Sequence, residues 1–112
     1  LITPSSASNK ILLFGTVAAE SPASQRIMVD FYKNASDFTE TYNLSGKTAG
    51  MGQNYALHSL QTVMTIPFLD TAGTEEEITY SISFRGLYDG YIVYCGTTDA
   101  AITSLIALEI KV

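Results

Sequence analysis

The sequence predicts an all-β domain, an antiparallel sandwich or barrel, and three observations predict it. Apolar residues recur with a period near two, not 3.6, along almost the whole chain. Clusters of turn-forming residues break that pattern at intervals of about ten residues, the spacing of short antiparallel strands. The runs between them are rich in β-branched and aromatic side chains, with seven Tyr and five Phe in 112 residues, which suits a pleated surface.

Each run can be justified in turn. Leu1 to Asn9 is polar and small apart from its first two residues, and reads as an extended arm or linker before a single domain over residues 10–112. Residues 10–19 (KILLFGTVAA) form the first strand, ended by the turn residues Glu20-Ser21-Pro22-Ala23-Ser24. Residues 26–32 place Ile27, Val29 and Phe31 on one face of a second strand. After the loop 33–37, residues 38–44 alternate again through Phe38, Glu40 and Tyr42. Residues 45–54 hold three glycines and no apolar run, and make the longest loop. Residues 55–69 read as one or two strands, because Val63, Thr65, Ile66 and Phe68 favour a pleated surface; Pro67 puts that strand on an edge or near an end. Residues 70–77 (DTAGTEEE) read as an acidic turn. Ile78, Tyr80, Ile82 and Phe84 then line one face of the run 78–85. Gly86-Leu87-Tyr88-Asp89-Gly90 is a hairpin-type loop, and residues 91–95 and 102–112 close the chain as strands. The total is seven or eight short strands with no internal repeat.

Composition narrows the function. Six Lys and Arg against eleven Asp and Glu leave a net charge of −5, a poor balance for phosphate contacts, so nucleic acid is not the expected partner. Charged residues make up 15% of the chain, where a soluble domain carries about 25%. Seventeen charges cover a small domain thinly, and the reading is either a Ser/Thr-rich neutral surface or an apolar face buried in an oligomer. The run 102–112 is apolar on both of its faces, so one face is free to pack against a neighbouring subunit. No stretch approaches the roughly 18 apolar residues of a membrane-spanning helix. With the single cysteine Cys95 the chain has no internal disulfide, and its start at Leu1, without a signal-peptide pattern, reads as a fragment or processed product.

Catalytic constellations fail on inventory. His58 is the only histidine, lies in an apolar run, and reads as a structural residue. His58 and Cys95 are too few ligands for a transition metal, and Glu75-Glu76-Glu77 lacks the spaced oxygens calcium wants. Cys95 has no nearby basic residue to lower its pKa, and the glycines Gly46, Gly50 and Gly52 open no phosphate loop. The expectation is a non-enzyme with no cofactor and no metal.

Several motifs, in order and spacing, resemble a family of small β-sandwich domains at the C-termini of viral fibres, including phage tail and head fibres. They are Ser8-Asn9-Lys10-Ile11-Leu12-Leu13, Phe68-Leu69-Asp70-Thr71, Thr79-Tyr80-Ser81-Ile82, Gly90-Tyr91-Ile92-Val93-Tyr94 and Ser104-Leu105-Ile106-Ala107-Leu108-Glu109-Ile110. The chain departs from the family's pattern in two loops. Ala72-Gly73 replaces a proline, and the loop from Cys95 to Ala101 is short. The resemblance implies a jelly-roll-like antiparallel β-sandwich of about eight strands, assembled as a homotrimer on the virion surface and contacting a host-cell receptor, either a glycan or a surface protein. Sugars stack on aromatic rings and hydrogen-bond to carboxylates, which makes Tyr88 and Asp89 the candidate receptor-binding pair. A capsid decoration protein that clamps neighbouring virion proteins without binding a receptor is the alternative, and a cellular trimeric ligand of the tumour-necrosis-factor or complement type is a third reading.

Overall fold

A computed structural model of the chain describes residues 1–20, 25–35, 44, 52–56, 62–86, 94–95 and 104–112. Among these residues the protein is all-β, with antiparallel sheets and no helix. The strands are β1 (Lys10–Glu20), β2 (Gln25–Lys33), β3 (Gly52–Ala56), β4 (Thr62–Thr71), β5 (Tyr80–Gly86), β6 (Tyr94–Cys95) and β7 (Ser104–Ile110).

β1 organises the first sheet. β4 runs along one of its edges, from Lys10 opposite Thr71 to Ala19 opposite Thr62. β7 takes the other edge from Lys10 opposite Ile110 to Thr16 opposite Ser104, and β6 follows at Ala19 and Glu20. The second sheet has the order β3-β2-β5, with β2 between its two partners. Pro67 has no N–H to give a ladder, and it lies in β4, which pairs with β1 alone among the described residues.

Period-two patterning turns directly into a core. The odd residues of β1 (Ile11, Leu13, Val17 and Ala19) are fully buried against Ile27, Val29 and Phe31 of β2 and Met64 and Ile66 of β4. Phe31 and Phe68 bridge the two sheets with ring centroids 6.4 Å apart. Gly15 of the first sheet faces side chains of the second: a Cβ there would overlap Ile82 and stand 2.6 Å from Phe31 Cε1. The residue is glycine because two aromatic and aliphatic side chains already fill the space. Two antiparallel sheets sharing one core are consistent with a β-sandwich.

The structure departs from the sequence reading in three places. β3 begins at Gly52, inside the segment expected to be a loop, because its backbone pairs with Val29, Met28 and Ile27 of β2. β4 continues through Asp70 to Thr71, so the expected acidic turn starts two residues late. Residues 1–9, expected as an arm or linker, lie against the domain: Ile2 exchanges backbone hydrogen bonds with Ile78 at 3.0 and 2.8 Å, and Pro4 and Asn9 are buried. The strand expected over 38–44 falls outside the described residues except for Leu44, whose N–H donates to the Phe31 carbonyl at 2.9 Å.

Candidate functional site

The outer face of the first sheet is the candidate. Cross-strand partners project to the same face of a sheet, so the register sets who stands beside whom. Leu12 pairs with Leu69 on one side and Leu108 on the other; Phe14 pairs with Pro67 and with Ile106. Two adjacent rows of three apolar residues therefore cross β4, β1 and β7. Phe14 alternates with the buried residues Leu13 and Gly15, which puts its ring on the outward face, 37% exposed.

Exposure along this face runs from 37% at Phe14 to 59% at Val63, with Leu69, Ile106, Leu108 and Ile110 between them. Apart from Val63, which lies beyond the Thr65-Thr16 pair, these side chains leave on the order of 450 Å² of mostly apolar surface in water, within the range of the largest patch a monomer usually shows. Fully covering a single Leu or Phe would contribute about 1.5–3 kcal/mol, so the face is a substantial unspent driving force for association.

Polar groups rim the rows. On one side Lys10 Nζ donates to Thr71 Oγ1 at 2.7 Å, and on the other Thr16 and Thr65 share a hydroxyl hydrogen bond of 3.3 Å beside Ser104. From the Thr71-Lys10-Ile110 row to the Thr65-Thr16-Ser104 row there is no carboxylate. An apolar centre with a polar rim is the anatomy of a protein interface.

At the Lys10 end of the sheets the chemistry is different and closed. Lys33 Nζ makes a 2.8 Å ion pair with Asp70 Oδ2 and also donates to the carbonyls of Thr71 and Ala72 at 2.7 and 2.8 Å. The Tyr80 hydroxyl donates to the same Asp70 oxygen at 2.6 Å; burial, and then this bond to a charged carboxylate, push its pKa well above the ordinary phenol range. Lys33 of β2, Tyr80 of β5 and Asp70 of β4 thus tie one sheet to the other with every ammonium donor in use. Next to them, Glu109 Oε1 accepts from Asn9 Nδ2 at 2.7 Å, the Ser5 N–H at 2.6 Å and Ser5 Oγ at 3.0 Å. These bonds, the one from Asn9 foremost, hold the carboxyl below its usual range. Both clusters are satisfied fastenings rather than vacant sites.

Tyr88 and Asp89, the pair expected to meet a receptor, lie outside the described residues, as does His58. Cys95 is in β6 opposite Ala19 of β1. Glu75, Glu76 and Glu77 are exposed, and no group of three potential ligands is brought together among the described residues. No described helix is long and apolar enough to cross a membrane. The sequence pointed to the apolar closing strand; it did not point to Leu12, Phe14, Pro67 and Leu69, which join it only through the β1 register. No family model, no curated protein and no solved structure matches the chain.

Proposed function

We propose that this chain is the head domain of a virion-surface fibre or spike, a jelly-roll-like β-sandwich that assembles as a homotrimer and attaches the particle to a host-cell receptor, either a glycan or a surface protein. The observation that carries the reading is the apolar, carboxylate-free outer face of β4, β1 and β7, which a lone domain would leave in water. The all-β two-sheet core and the order of the fibre-like motifs support it. The domain works by binding and not by catalysis, with no cofactor or metal. A trimer presents three copies of each receptor contact, so weak single contacts combine by avidity. Tyr88 and Asp89 are the proposed contacts, one ring for stacking and one carboxylate for hydrogen bonds.

An N-terminal arm that docks into a neighbouring shell protein would favour the decoration reading. Ile2, Ser5 and Asn9 are instead fastened to their own domain through Ile78 and Glu109, so these residues do not supply such an arm. Binding of the purified domain to a glycan array and to a panel of host cells tests the proposal. Saturable binding that weakens at least about tenfold in Tyr88→Ala/Asp89→Ala is expected for avid three-point contacts. Binding to virion shell proteins, with none to glycans or cells, would replace attachment by decoration.

A further inference from the structure

We infer that further copies of this chain cover the outer face of β4, β1 and β7, with Phe14 at the centre of the covered face. The inference rests on the oligomeric reading proposed above and names the surface that oligomer uses.

Three observations point to a copy of the chain rather than to a different partner. Area is the first. Each copy has about 450 Å² of largely apolar surface on this face, so a ring of three takes on the order of 1,300 Å² out of water over its three contacts before the polar rim and flanking strands are counted. Charge is the second. A chain of net charge −5 repels its own copies, and these rows hold no carboxylate, so here that repulsion is weakest. A charged or glycan partner would need polar groups in the centre of the face, and they stand only at its rim.

Symmetry is the third. A ring of three requires one flank of the face to meet the other flank on the next copy, since a rotation that closes beyond two makes unlike patches touch. The β4 flank offers Pro67 and Leu69, and the β7 flank offers Ile106 and Leu108, in the same two rows. Both flanks are apolar and in step, with Leu12 and Phe14 between them. A face apolar on one flank only could not close such a ring.

Sedimentation velocity across a dilution series, on the wild-type domain and on Phe14→Lys, Leu69→Lys and Leu108→Lys, tests the inference. Each substitution makes the chain less negative, so lost association cannot come from added net repulsion. All three sites are exposed enough for the variants to fold, which the urea midpoint verifies. Thr79→Lys, on an exposed residue beside the second sheet and with the same change of charge, is the control. The expected result is a wild-type oligomer whose association constant falls at least about 100-fold in the lysine variants, as for a central hot spot, and holds in the control. An oligomer indifferent to all three lysines overturns the inference and leaves the proposed function standing. A wild-type monomer at every concentration overturns both. A dimer that the lysines dissociate supports the face contact and removes the threefold ring. A monomer that floats with phosphatidylcholine vesicles, and stops doing so in Phe14→Lys, gives the face to lipid and overturns the inference.

Discussion

On the second sheet Met28, Asp30 and Tyr32, outward residues of the central strand, are only 4–6% exposed, while Arg26 near its start is exposed. On the first sheet the outward residues of the central strand β1 include Phe14, more than a third exposed, flanked by half-exposed Leu69, Ile106 and Leu108. Over these stretches the chain covers one outer face and leaves the other partly open, with only Ala18 of β1 buried there, and the open one is the more apolar. The buried face even takes in a carboxyl, Asp30, whose Oδ1 accepts the Phe31 N–H at 2.8 Å. Burial within one chain therefore does not sort these two faces by hydrophobicity. Such an inversion is what an interface leaves behind when one subunit is viewed alone.

Substitutions can break or sharpen that contrast, and the largest effect belongs to the shared inner face. Gly15→Val would force three carbons into space held by Ile82 and Phe31, and an overpacked core of this kind costs about 3 kcal/mol. A urea titration should show it as a lower midpoint with an unchanged slope. Next come the two outer faces themselves. Met28→Ala empties a buried site and should cost about 2–3 kcal/mol, against under about 1 kcal/mol for Leu108→Ala at protein concentrations too low for association. Equal costs for the two would erase the distinction between the faces. Asn9→Ala removes a buried amide that donates to Glu109 and Ser5 and accepts from the Val112 N–H, and about 1–2 kcal/mol should be lost in thermal unfolding.

The smallest effect is a pH dependence. The Glu109 carboxyl is held below its ordinary range in the folded state by Asn9 and Ser5. Its contribution is therefore fully present above the unfolded carboxylate pKa and fades as pH falls through the lowered folded value. Glu109→Gln should lie below wild type in urea midpoint at neutral pH and converge with it on acidification. Parallel curves down to strong acid would remove Glu109 as the anchor of the first nine residues.

What could be read in the sequence follows from which forces are local. β1, β2 and the strand through Ile82 and Phe84 were legible because one face of each is apolar and the period of two is intact. β3 was not, since Gly52-Gln53-Asn54 carries no apolar signal and joins the sheet through backbone pairing with β2. Asp70 has the residue type of a turn, yet its strand continues because Lys33 and Tyr80, 37 and 10 positions away, supply its partners. Such clamps depend on separations in sequence that no local pattern encodes. The candidate face is intermediate. The low charge and the two-sided closing strand announced an apolar surface, while its centre at Leu12 and Phe14 emerged only when the β1·β4 and β1·β7 registers placed three strands in step. Tyr88 and Asp89 fall outside the described residues, in a glycine-flanked stretch whose sequence has no periodicity to read.

The central claim is that the open outer face of the first sheet is buried by assembly. Covalent carbene footprinting, read by mass spectrometry at a dilute and a concentrated condition, tests it most directly. If assembly buries this face, labelling of the peptides holding Phe14, Leu69 and Leu108 falls several-fold on concentration, while that of exposed Thr79 stays constant. Equal labelling of Phe14, Leu69 and Leu108 at both concentrations would contradict it.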